Sequence, residues 1–126
     1  MCGIEFSNDL SKIYPLRNKI IRNTKYRGPD QSNHIIKEKL FFGFNYLSIT
    51  GRHKGSPQPF LRNGNILIFN GEIYNYISLK KKLLKKNIKF KTDGDTEVLA
   101  ACLEHYGEEK THELIEGMWA FVYYDL

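Results

Sequence analysis

The sequence predicts an α+β layered domain, and three observations carry that prediction. Runs dense in aromatic and β-branched residues, such as Leu40 to Ile49, Asn65 to Phe69 and Met118 to Tyr124, read as strands. Apolar residues at helical spacing (Leu16, Ile20 and Ile21; Leu79, Leu83 and Leu84; Val98 to Leu103) read as helices. The two kinds do not alternate strictly, so a doubly wound parallel sheet is disfavoured.

Taken in order, Cys2 to Phe6 alternates enough for a short first strand. Pro15 suits the first turn of a helix whose apolar face runs to about Thr24. Arg27-Gly28-Pro29-Asp30 then breaks it, because the residue before a proline is pushed out of helical geometry. A strand over 40–49 is followed by a loop carrying Gly51, Gly55, Pro57 and Pro59. The strand from Asn65 is expected to stop at Phe69, before Asn70-Gly71. Asn75 is an expected N-cap for a lysine-rich helix over 76–86, and a short strand is expected at Ile88 to Phe90. The next helix should run from Thr96 to Tyr106 and stop at Gly107, with a helical turn near Thr111 to Ile115. A last strand, Met118 to Tyr124, stands two residues from the end of the chain. An open edge there predicts a larger polypeptide or a second subunit that completes the sheet, so a homo-oligomer is compatible with it.

At 126 residues the chain is one domain, 1–126, and 41% hydrophobic with 13% aromatic residues is enough for a packed core. Apolar runs such as Ile66-Leu67-Ile68-Phe69 are far too short to cross a bilayer, and no basic-then-apolar leader opens the chain. A cytoplasmic protein with no membrane association is therefore expected. Cys2 and Cys102 are too few for a disulfide framework and lack metal-ligand spacing, so no metal site is expected. Cys102, within Val98-Leu99-Ala100-Ala101-Cys102-Leu103, reads as a buried core thiol. The net charge of +5 is concentrated at Lys80, Lys81, Lys82, Lys85, Lys86, Lys89 and Lys91. Leucines interleave with these lysines and no aromatic platform accompanies them, so they read as a solvated helix face rather than a nucleic-acid surface.

The chemistry begins at Met1-Cys2-Gly3-Ile4. Trimming of the initiator methionine would leave a thiol and a free α-amine on one residue. Such amines titrate near ~8 and thiols near ~8.5, so one residue could supply both nucleophile and general base. Asn70-Gly71 offers an amide side chain and a backbone N–H that a carboxamide's developing oxyanion would need. The commoner meaning of Asn-Gly is a hairpin turn, but the residues that follow read as helix rather than a return strand.

Cys2-Gly3-Ile4, Arg27-Gly28-Pro29-Asp30, Leu47-Ser48-Ile49, Gln58-Pro59, Asn70-Gly71-Glu72-Ile73-Tyr74-Asn75, Asp93-Gly94-Asp95-Thr96-Glu97 and Gly117-Met118-Trp119-Ala120-Phe121 form an ordered series. The series resembles the class II glutamine amidotransferase domain at the front of glutamine-hydrolysing asparagine synthetases. The resemblance implies a four-layer αββα fold of the N-terminal-nucleophile hydrolases and hydrolysis of glutamine to glutamate and ammonia. It implies Cys2 as nucleophile through a γ-glutamyl thioester, and Asn70 and Gly71 as the oxyanion hole. It implies Asp95 and Glu72 as holders of the substrate's ammonium group, and Arg27 as a neighbour of the cysteine that positions the terminal loop.

Three departures stand out. Tyr46 occupies the place where the family brings an arginine to the substrate's α-carboxylate. A guanidinium pairs with a carboxylate through two charge-assisted bonds, whereas a phenol offers one neutral donor. Arg52 or Arg27 are candidate substitutes. The first strand carries Glu5, Asn8 and Asp9 where the family has small and apolar residues. The family also continues for several strands past Gly117-Met118-Trp119-Ala120-Phe121, which implies a C-terminally incomplete fold here. No cofactor is expected in this chain, with ATP and Mg reserved for a synthetase domain or subunit that would receive the ammonia. Two functional readings follow: a glutaminase supplying an asparagine synthetase-type amidation, or a degenerate structural or interaction domain marked by Tyr46.

Overall fold

The computed structural model describes residues 2–47 and 57–126, and within them the predicted α+β mixture resolves into two antiparallel sheets flanked by helices. Ser48, Ile49, Gly51, Arg52 and Gly55 lie outside the described residues. The first sheet holds β1 (Gly3–Ser7), β2 (Gln31–Lys37) and β3 (Leu40–Tyr46) in the order β1-β3-β2. Its register pairs Gly3 with Asn45 and Gln31 with Tyr46. Between β1 and β2 the chain forms α1 (Leu10–Ile13), a 3-10 turn at Tyr14–Leu16, α2 (Arg17–Thr24) and a second 3-10 turn at Lys25–Arg27. The second sheet holds β4 (Phe60–Arg62), β5 (Asn65–Ile73) and β6 (Gly117–Tyr124) in the order β4-β5-β6. Between β5 and β6 lie α3 (Tyr76–Leu84) and α4 (Asp95–Leu114).

The period-2 alternation of β5 sorts its side chains between two cores. Ile66 and Ile68 point toward the first sheet and pack with Phe42 and Phe44 of β3. Leu67, Phe69 and Ile73 point the other way, onto Leu79 and Leu83 of α3 and Val98, Leu99, Cys102 and Leu103 of α4. On the far side of the first sheet, α2 packs against β1 and β3. The layers therefore run helix, sheet, sheet, helix, which is the αββα order the resemblance implied. Cys102 is fully buried, and desolvation pushes its thiol up to about 11, as a core cysteine requires. Lys81, Lys82, Lys85, Lys86, Lys89 and Lys91 are exposed, while Lys80 pairs with Asp93 at 2.8 Å.

Several expected boundaries need correction. β5 does not stop at Phe69 but runs through Asn70-Gly71 to Ile73, because β6 pairs with it all the way, Ile73 lying opposite Gly117. Asn75 does sit at the start of α3, yet its side chain does not cap the helix. Its Nδ2 donates to Leu114 O at 2.8 Å and its Oδ1 accepts from Glu116 N at 3.1 Å, tying the start of α3 to the approach of β6. Ile88 to Phe90 is not a strand. The N–H groups of the next two residues, Lys91 and Thr92, go instead to the buried Glu97 carboxylate. Gly107 breaks α4 as expected, at φ 77° and ψ 175°, but helical residues resume at once beyond it. β2 and β4 had no sequence expectation, and β3 ends at Tyr46.

Candidate active site

The layer order places the start of β1 beside the middle of β5. Cys2 precedes β1 directly and borders the apolar seam between the sheets. Its backbone nitrogen donates to Asn70 Oδ1 at 2.9 Å, a contact between residues 68 positions apart. Asn70 is on the face of β5 shared with Ile66 and Ile68, so strand alternation aims it at the first sheet. With Oδ1 engaged, the amide's Nδ2 is its remaining hydrogen-bonding end. The Cys2 sulfur accepts from Leu47 N at 3.4 Å and lies 4.0 Å from Leu47 O.

The turn before β2 holds Cys2 from the other side. Arg27 Nε donates to Cys2 O at 3.3 Å. The turn can lie flat on β3 because residue 28 is glycine: a Cβ there would stand 2.1 Å from Asn45 O. Asp30 N donates to Tyr46 O at 3.1 Å, which stitches the far end of Arg27-Gly28-Pro29-Asp30 to the end of β3. Beneath the turn, Asn45 is fully buried. Its Nδ2 donates to Ile21 O at 2.9 Å and Thr24 Oγ1 at 2.6 Å, and its Oδ1 accepts from Ser32 Oγ at 2.6 Å.

Gly71 follows Asn70 in β5 and pairs with Trp119. A Cβ on it would lie 2.1 Å from Met118 O, so only glycine allows β6 this close. Tyr74 N donates to Glu116 O at 2.7 Å, and in an antiparallel ladder hydrogen-bonded pairs recur every second residue. Even-numbered residues of β5 thus bond to β6, while the N–H groups of Phe69, Gly71 and Ile73 point away from it. Phe69 N donates to Gln58 Oε1 at 2.6 Å and Ile73 N to Asp95 Oδ2 at 3.1 Å, in agreement with that parity. The Gly71 N–H lies between these two, on the same edge.

Asp95 opens α4 rather than capping it, the N-cap position being Gly94. Burial raises the Asp95 carboxyl above the ordinary range, opposed by the hydrogen bonds from Ile73 and Thr96, and the negative charge of nearby Glu72 adds to the rise. Glu72 itself is exposed. Two carboxylates thus stand together at the end of β5, a setting that suits a cation. Tyr46 is half-buried at the end of β3, its ring 6.3 Å from that of Phe44, and it borders the same inter-sheet cluster as Cys2.

The structure thus brings Cys2, Asn70 and Arg27 into hydrogen-bond reach, with Gly71 and Glu72 following in β5 and Asp95 of α4 bonded to the last residue of that strand. Arg52 lies outside the described residues. The sequence reading did not single out Asn45 or assign Gln58 a role. The only signal for either was the Gln58-Pro59 pair within the ordered series.

Comparison with known proteins bears on the whole chain. A family described as the glutamine amidotransferase domain matches residues 1–126. Asparagine synthetase [glutamine-hydrolyzing] 1 of Bacillus subtilis is 45% identical over 98 residues, which are 77% of this chain and 15% of that protein. A probable asparagine synthetase [glutamine-hydrolyzing] of Schizosaccharomyces pombe is 32% identical over 131 residues, covering 99% of this chain and 23% of the relative. The chain therefore spans less than a quarter of the length of these curated relatives. Among solved structures, the allosteric regulatory enzyme of purine biosynthesis aligns over 71% of this chain and 22% of its own, with a TM-score of 0.57 and 26% identity. Glutamine phosphoribosylpyrophosphate amidotransferase from B. subtilis, complexed with ADP and GMP, aligns over the same shares with a TM-score of 0.55 and 25% identity.

Proposed function

The chain belongs to the glutamine amidotransferase domain family, and on that premise we propose that it hydrolyses glutamine to glutamate and ammonia through a thioester on Cys2. The observation that carries the proposal is the 2.9 Å contact between the Cys2 nitrogen and Asn70 Oδ1, which holds the nucleophile against the oxyanion donors. Removal of Met1 converts that nitrogen from an amide into an amine with a free lone pair. The amine takes the thiol proton as sulfur attacks the carboxamide carbon, and Asn70 orients it. The carboxamide oxygen gains negative charge and is met by Asn70 Nδ2 and the Gly71 N–H, groups already fixed by strand geometry. The carbon–nitrogen bond breaks, the amine returns the proton, and ammonia leaves. Water then cleaves the γ-glutamyl thioester and releases glutamate.

Asp95 and Glu72 hold the substrate's α-ammonium, and Arg27 positions Cys2 through its carbonyl. Tyr46 stands where the carboxylate partner belongs and supplies one neutral donor in place of a guanidinium. Residues 1–126 act as the glutaminase part of an asparagine synthetase-type system, whose synthetase domain or subunit receives the ammonia and uses ATP and Mg. Thioester chemistry asks for no cofactor in this part. A second reading, an inactive structural or interaction module, draws on Tyr46 alone.

The test is glutamine turnover by the methionine-trimmed chain, confirmed as trimmed by intact mass. Wild type should release ammonia and Cys2→Ala should release none. Equal release by both would overturn the assignment of Cys2, and release by neither would favour the inactive module.

A further inference from the structure

β4 covers the outer edge of β5 only as far as Leu67, which pairs with Phe60. Continuing that register would set position 58 opposite Phe69. No strand is there among the described residues, yet the backbone groups of Phe69 are satisfied. The side-chain amide of Gln58 does what a strand would do: its Oε1 accepts from Phe69 N at 2.6 Å and its Nε2 donates to Phe69 O at 3.0 Å. Gln58 is itself buried, and its own carbonyl accepts from Asn33 Nδ2 of β2 at 3.1 Å. One residue thereby links the edge of the oxyanion strand to the sheet that carries the nucleophile.

The next N–H on this edge is that of Gly71, and the one after it, Ile73, is held by Asp95. The edge is thus pinned on both sides of the Gly71 N–H. We propose that Gln58 is a positioning residue of the glutaminase reaction: its amide replaces a strand partner at Phe69 and so fixes the Gly71 N–H relative to Cys2. This rests on the glutaminase reading above and deepens it. Gln58 touches no reacting atom. It acts by holding a preorganised donor in place, and donors misplaced by about 1 Å lose about 10²-fold in rate.

The test uses the full methionine-trimmed chain with Gln58→Ala and Gln58→Glu. For folded Gln58→Ala, kcat should fall about 10²-fold with KM for glutamine little changed. Affinity for glutamate γ-semialdehyde, whose adduct with the Cys2 thiol is tetrahedral, should fall by the same factor, while affinity for glutamate holds. Gln58→Glu turns an acceptor toward Phe69 O when ionised and restores a donor when protonated. Its kcat relative to wild type should therefore recover as pH is lowered through the carboxyl's range, a response that also serves if the alanine variant does not fold. Unchanged kcat in folded Gln58→Ala, or a loss shared equally by glutamate binding, would overturn the assignment, as would a flat relative pH profile in Gln58→Glu. Wild-type turnover separates the two claims. An inactive wild type overturns the glutaminase reading and the role of Gln58 with it, whereas an active wild type with an unaffected variant overturns only the latter.

Discussion

The two sheets meet across one apolar seam, but each is fastened to its own helices by a different balance of forces. Behind the second sheet, Leu67, Phe69 and Ile73 lock into Leu79, Leu83, Val98, Leu99 and Leu103, with the polar ties (Arg62 to Glu97 and Glu104, Ile73 N to Asp95) set around that apolar contact. Behind the first sheet, Ile20 and Ile21 of α2 are only half-buried, and the contact is a chain of hydrogen bonds through Ser32, Asn45, Thr24 and Glu5. Apolar burial is strong and undirected, whereas hydrogen bonds are weaker and set position. The half bearing β5 is held mainly by apolar burial, and the half bearing Cys2 mainly by directional hydrogen bonds.

That contrast can be broken from either side. Leu83→Ala empties a fully buried site and should cost about 2–5 kcal/mol in denaturant unfolding. A smaller loss would mean that apolar burial is not the main hold on the second sheet. Asn70→Ala removes a donor at the seam and should lower glutaminase kcat by about 10²–10³ with unfolding stability nearly intact. A matching stability loss would make Asn70 a structural bridge instead. Asn45→Ala leaves Ile21 O and Thr24 Oγ1 short of a donor in a buried place and should cost about 1–3 kcal/mol. It should also weaken turnover, since Asn45 lies beneath the turn that carries Arg27.

The smallest effect belongs to Glu5. Its Oε1 accepts from Thr24 Oγ1, while its Oε2 is buried with no hydrogen-bond partner among the described residues. Burial raises its carboxyl above the ordinary range and outweighs the Thr24 bond. The folded chain then holds this proton more firmly than the unfolded chain. The stabilisation is fully present below the unfolded-state value and is lost as pH rises through the folded one. Glu5→Gln should remove that decline, read as a flatter stability profile from the normal carboxylate range upward. A profile steeper than wild type would refute the burial account.

The same contrast explains what was legible in the sequence. Helices α3 and α4 and strands β3, β5 and β6 carry apolar periodicity, so the layered α+β class could be read directly. β2 hid because Gln31-Ser32-Asn33-His34 has no strand pattern, and β4 because it is three residues long after Pro59. The habit of Asn-Gly to turn gave a false end to β5. Pairing with β6 and the close approach of Met118 O at Gly71 override it. Cys2 and Asn70 could be singled out because their chemistry shows locally, and Arg27 and Asp95 because they stand in motifs that carry the family resemblance. Asn45 and Gln58 could not, because a buried amide takes its meaning from partners far along the chain: Ile21 for one, Phe69 and Asn33 for the other.

The central claim, that the terminal cysteine and the oxyanion strand form one glutamine site, is tested most directly by covalent labelling. The methionine-trimmed chain would be treated with 6-diazo-5-oxo-norleucine and mapped by mass spectrometry. The account predicts one label, on Cys2, suppressed by glutamine. No label on folded, trimmed protein, or a label on Cys2 that glutamine does not suppress, would contradict it.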